Sequence, residues 1–273
     1  MEISTWEKRK KIENFPPLNF ISVTDSIDRR DLLYKNCEDY GITNIRPHIF
    51  ERYDDSKHKF IGQSYKNYSV NELGRAPVTS HLKAIKEWFF DTDEDYAFFC
   101  EDDISFDTIQ YWNFTWNDFF ENLPKDWECI QLCWVRENNM FMFSHDGLKI
   151  RNRCWCDWSG CAYLIKRSHA KKLISNYYIN GEFNLDYVGD DLEVRSHPEN
   201  SWSLTPCIET IIFSNFSKIY GFPLFVENVY QFQSTLHFVD QTRPHNFYSY
   251  DTIMDWWKTV GKDTPISEIM VLK

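Results

Sequence analysis

Short apolar runs alternate with amphipathic stretches along this chain, and the alternation predicts strands followed by helices. Leu18 to Thr24 (LNFISVT) is apolar, carries β-branched residues and closes on Thr-Asp-Ser, which predicts a strand running into a loop. Arg29 to Tyr40 then sets Leu32, Leu33, Asn36 and Tyr40 at helical spacing and stops at Gly41. A second short strand is predicted over 44–50, and the polar stretch 51–72 reads as a long loop. Helical spacing returns from Ala76 to Phe90 through Leu82, Ile85, Trp88 and Phe89, with Pro77 suited to the first turn and Thr79 or Ser80 near the cap.

Tyr96 to Cys100 (YAFFC) is too short for a helix and is bounded by charge on both sides, the pattern of a strand buried on both faces. Further strands are predicted at Cys129 to Val135 and Ser159 to Lys166, the latter leading into a helix from Ser168 to Tyr177. Asp255 to Lys258 (DWWK) reads as part of a short terminal helix. Such alternation predicts one α/β domain over 1–273, a mostly parallel central sheet flanked by helices, with ligands outside the carboxyl ends of its strands. Residues 18–210 are expected to form the nucleotide-binding core, and 211–273 an acceptor-side or closing segment.

The YAFFC strand delivers Glu101, Asp102 and Asp103 to that rim. Carboxylates fixed at a strand end suit a hard divalent cation, with phosphate oxygens and water completing its shell. Alternation along a continuing strand puts Glu101 and Asp103 on one face and Asp102 on the other. An acidic turn in solvent has the same sequence, so burial of the strand before it separates the two cases.

Composition narrows the partners. With 42% hydrophobic and 18% aromatic residues the chain has ample material for a sizeable core. A net charge of −11 excludes the clustered basic surface that nucleic acid binding needs. No apolar stretch is long enough to cross a membrane and the first residues are polar, so no transmembrane segment and a cytoplasmic location are expected, a secretory lumen being the other setting. The eight cysteines lack CxxC pairs and read as reduced, buried thiols, the alternative being a disulfide or metal clip at the cluster Cys154, Cys156 and Cys161, which would need a fourth ligand.

Four blocks, in order, resemble glycosyltransferase family 25, the lipooligosaccharide and procollagen galactosyltransferase group of GT-A type. They are Phe20 to Arg30 (FISVTDSIDRR), Thr79 to Lys86 (TSHLKAIK), Tyr96 to Phe106 (YAFFCEDDISF) and Gly160 to Leu173 (GCAYLIKRSHAKKL). The resemblance implies a GT-A-like, Rossmann-type sandwich and an inverting transfer of a hexose, galactose or glucose, from a UDP-sugar. It also implies Mn²⁺ or Mg²⁺, and a glycan or glycoprotein hydroxyl as acceptor. Leu185 to Leu192 (LDYVGDDL) stands where the family has a Pro-x-Asp-Glu segment.

On that reading Asp103 is the first choice of metal ligand, with Glu101 beside it and His237 as a late ligand or a packed histidine. Asp102 holds ribose or metal. Thr24 and Asp25 lie at a strand end where uracil and ribose would sit, and Arg29 and Arg30 either meet the diphosphate or face solvent. Ser80 and His81 open a helix whose N-terminus favours an anion, unless His81 is a buried, hydrogen-bonded residue. Inversion needs a base: Asp190 or Asp191, presented by Gly189, or Asp186, the alternative being that they cap the next segment. Trp155 and Trp158, beside Gly160, suit an acceptor sugar. A metal-dependent nucleotide phosphohydrolase and a non-catalytic sugar-binding protein of the same fold are the competing readings.

Overall fold

The apolar runs become strands, and the way each is covered explains its composition. The structure is a computed structural model that describes residues 4–52, 72–134, 148–153, 157, 159–183, 208–213, 218–228 and 247–272. Its strands are β1 (Leu18–Val23), β2 (Ile45–Phe50), β3 (Tyr96–Glu101), β4 (Ile104–Ser105), β5 (Cys129–Cys133), β6 (Arg151–Asn152), β7 (Ala162–Lys166), β8 (Tyr178–Ile179), β9 (Glu182–Phe183) and β10 (Ile219–Glu227). Helices are α1 (Thr5–Lys11), α2 (Ile27–Tyr40), α3 (Glu72–Asp91), α4 (Trp116–Glu121) and α5 (Arg167–Tyr177), with later ones at Ile208–Ile211, Phe247–Thr259 and Ile266–Ile269.

One 8-stranded sheet runs in the order β2-β1-β3-β7-β5-β10-β4, with β6 also beside β10. β1 is parallel to β2 and β3, and β10 is parallel to β5. β7 is reversed, antiparallel to both β3 and β5. The sheet is therefore mixed, flanked by helices in a Rossmann-like manner.

β3 sits in the middle with no polar face because both of its faces are buried. Phe98 and Cys100 join a cluster with Phe20, Leu164 and Phe225, whereas Ala97 and Phe99 join another with Ile21, Tyr163 and Trp88. Burying each such aromatic contributes roughly 1.5–3 kcal/mol. α3 covers the second cluster with Val78, Leu82, Ile85 and Trp88, one helical stripe, and α5 adds Ala170, Leu173 and Tyr177. On the first cluster lie Leu33, Cys37 and Tyr40 of α2 and Ile253, Met254 and Trp257 of the Phe247–Thr259 helix. α2 ends where expected, on Gly41 at φ 77°, a left-handed cap that glycine adopts without strain.

α3 departs from the expectation. It starts at Glu72 and runs through Pro77, so Pro77 is interior and does not open the helix. Ser80 Oγ donates to the Ala76 carbonyl at 3.1 Å, a back-bond one helical turn long. Ser80 and His81 therefore have no free helix N-terminus to offer an anion. The segment beyond 210 supplies β10, whose residues Ile219 to Val226 are all buried, so Phe222 to Val226 completes the core. Cys37, Cys100, Cys129, Cys133 and Cys161 are free, buried thiols, as expected; Cys154, Cys156 and Cys207 lie outside the described residues.

Candidate functional site

Parallel pairing of β1 with β3 sets Ile21 against Glu101, which carries Ser22 alongside Asp102 at the carboxyl rim. The strand ends at Glu101 and turns, so the alternation expected of the triplet breaks. Asp102 and Asp103 converge, and Glu101 goes elsewhere. Arg29, from the first turn of α2, places Nη2 2.5 Å from Asp102 Oδ1 and 2.7 Å from Asp103 Oδ2. Ser22 Oγ donates to Asp102 Oδ2 at 2.5 Å. Glu101 Oε1 instead meets His81 Nε2 at 3.1 Å, while His81 Nδ1 lies 2.9 Å from the Tyr163 hydroxyl. A carboxylate accepts only, so Nε2 carries the proton toward Glu101 and Nδ1 accepts from Tyr163. Burial pushes the Tyr163 phenol well above its ordinary range, which keeps it a donor.

These acids are not a solvated turn: Asp102 and Asp103 are each only 5% exposed. Burial pushes the Asp102 carboxyl up to about 6; Arg29 and Ser22 oppose the rise, and Asp103 adds to it. Burial also works against the charge of Arg29, but Asp103 and Asp102 outweigh it and hold the guanidinium more firmly protonated than usual. Both oxygens of Asp102 are engaged. Asp103 Oδ1 is buried with no hydrogen-bond partner among the described residues. An orphaned buried carboxylate oxygen is costly unless a cation or a water belongs there. The donor set thus fits a divalent ion attached through Asp103 Oδ1, the remaining shell coming from phosphate oxygens and water.

No protein-family model and no curated protein matches this chain.

Arg29 faces the acidic pair instead of open solvent. Arg30 lies over the end of β1, donating to Ser22 Oγ at 3.2 Å, to the Thr24 carbonyl at 2.9 Å and to the Val23 carbonyl. It stiffens the loop and is committed to backbone. Thr24 and Asp25 are exposed at the rim, Thr24 Oγ1 donating to Glu51 Oε2 at 3.4 Å and Asp25 paired with Arg52 at 2.8 Å. Gly160 is buried, and a Cβ there would lie 2.5 Å from Ile208 Cγ2. Close packing against that helix accounts for this glycine. Asp186, Asp190, Asp191, Trp155, Trp158 and His237 lie outside the described residues.

Sequence reasoning missed Ser22, Tyr163, Ser159 and Glu227. Ser159 has φ 96°, in the left-handed region that a serine rarely adopts. Its hydroxyl donates to Glu227 Oε1 and accepts from the Cys161 N–H at 3.0 Å. Below it, Gln131 Nε2 donates to the Ser159 carbonyl at 2.8 Å and to the Asp157 carbonyl at 3.1 Å. Ser22 alone had a sequence signal, its place one step before a strand's polar end. Among the described residues no helix is long and apolar enough to cross a membrane.

Proposed function

We propose that this chain is an inverting, metal-dependent glycosyltransferase of GT-A type, akin to glycosyltransferase family 25. It moves a hexose, galactose or glucose, from a UDP-sugar to a hydroxyl of a glycan or glycoprotein. One observation carries the reading: a buried carboxylate oxygen, Asp103 Oδ1, without a partner among the described residues, at the carboxyl end of a central strand. A strand rim of this kind is where α/β sheets bind nucleotides.

Asp103 would hold the divalent ion, Mn²⁺ or Mg²⁺ by the family resemblance. When bound, that ion supplies Lewis-acid screening of the diphosphate as the nucleotide departs. Asp102 is held by Ser22 and Arg29 and fixes the turn on which Asp103 sits. Arg29 pairs with both neighbouring carboxylates in a buried place. His81, itself held by Tyr163, fixes Glu101 away from the acidic pair. Thr24 and Asp25, exposed at the end of β1, would meet the ribose and base of the donor. The acceptor proton goes to one of Asp186, Asp190 and Asp191.

The test is UDP release from UDP-galactose and UDP-glucose over a panel of hydroxyl acceptors. Acceptor-dependent release that Asp103→Ala abolishes, in a variant with unchanged circular dichroism, supports the reading. Full activity in Asp103→Ala overturns it. Phosphate release from a nucleotide with no acceptor would favour a phosphohydrolase instead.

A further inference from the structure

β5, β7 and β10 bring a second set of ligand atoms to the rim beside the acidic turn. Cys133 is the last residue of β5, Cys161 immediately precedes β7, and Glu227 is the last residue of β10. One ligand atom from each, two Sγ and a carboxylate oxygen, lie within 4.8 Å of one another. This is the one such group found among the described residues. Both thiols are fully buried, and Glu227 is partly so.

The group is built rather than incidental. Ser159 donates to Glu227 Oε1 and accepts from the Cys161 N–H, so one strained serine positions two of the three donors. The acidic turn lies alongside. The Asn228 N–H donates to the Asp103 carbonyl at 2.6 Å, and Ile104 pairs with Glu227. The Asp103 carboxylate is not one of the atoms in the group.

We propose that Cys133, Cys161 and Glu227 form a site for a borderline-soft divalent cation of the zinc class. Two sulfur donors and a carboxylate oxygen, with water in the fourth position, suit a tetrahedral ion of that kind, whereas Mg²⁺ takes oxygen donors. The ion replaces the thiol protons, so Cys133 and Cys161 coordinate as thiolates. The site is separate from the Asp103 position of the transferase reading and does not depend on the reaction.

The experiment is a Co²⁺ titration of the purified full chain, kept reduced with a non-thiol reductant and free of nucleotide. One equivalent should bind with a near-ultraviolet thiolate-to-cobalt charge-transfer band. Zn²⁺ should abolish that band, and excess Mg²⁺ should leave it unchanged. Cys133→Ser should lose the band, while Glu227→Gln, with both thiols intact, should keep it at an affinity weaker by about tenfold or more. A folded wild-type chain that takes up Co²⁺ without the band, or takes up none, overturns the proposal, as does a band that survives in Cys133→Ser. Because no nucleotide enters the titration, that failure would leave the UDP-sugar assay to decide the transferase reading separately.

Discussion

The two ends of β3 each carry an arginine–carboxylate cluster, and they differ in what is left over. Just before the strand begins, Glu94 receives Arg46 through two bonds of 2.7 and 2.6 Å and the Trp88 indole at 2.9 Å. Arg167 fills the carbonyls around it, donating to Glu94 O and Phe89 O at 2.7 Å each. The Arg46 bonds hold the Glu94 carboxyl below its ordinary range. Where the strand ends, one arginine is shared between two acids, Asp102 is pushed up to about 6 by burial, and Asp103 keeps an oxygen that meets no partner among the described residues. A cluster that saturates its acceptors is a clasp. One that buries an acceptor and leaves it over is a place for a ligand.

Removing the shared cation should break the comparison most sharply. Arg29→Met leaves two buried carboxylates without it and should cost about 3–5 kcal/mol of unfolding free energy at neutral pH, measured by denaturant titration. A loss below about 1 kcal/mol, the worth of an exposed pair, would place both ends of β3 in the same class.

Next in size is the pH dependence of Asp102. Its folded pKa is raised, so folding takes up a proton. The stability it contributes is complete below about pH 4, the ordinary carboxylate value, and is lost as pH rises through about 6. Asp102→Asn should therefore flatten the stability curve between those values by about 3 kcal/mol. Parallel curves for the two proteins would show that Asp102 titrates normally in the folded state.

The smallest effect belongs to the saturated end. Glu94 is 30% exposed and Arg46 35%, so Glu94→Gln should cost about 1 kcal/mol or less. Nucleotide and metal binding should be unaffected. A Glu94→Gln variant that loses ligand response would mean that the clasp tunes the far end of the strand.

Much of the sheet was legible because its central strands are buried on both faces. Phe98, Phe99 and Leu164 stand in unbroken apolar runs bounded by polar residues, and such runs mark a strand without naming its neighbours. Direction is another matter: nothing in Ala162 to Lys166 says that β7 runs against β3 and β5, since an apolar run reads the same both ways. The start of α3 was misplaced because Pro77 is a good first-turn residue, yet the helix runs through it. At the site, the acids were visible as a strand end, but their partner was not. Arg29 and Asp103 lie far apart in sequence and meet only because β1 and β3 are neighbours. Cys133, Cys161 and Glu227 come from three separate segments, so spacing along the chain could not have brought them together.

Asp103 carries the account, and its role is most directly measured by the melting temperature of the wild-type chain and Asp103→Asn with UDP, alone and with Mn²⁺ or Mg²⁺. A ligand that binds only the folded chain at about a hundred times its dissociation constant adds about 2.7 kcal/mol. The wild type should show a UDP shift that needs the cation, and Asp103→Asn should keep its fold and lose the shift. An equal, cation-dependent shift in both proteins would contradict the assignment of Asp103 as the residue that holds the ion.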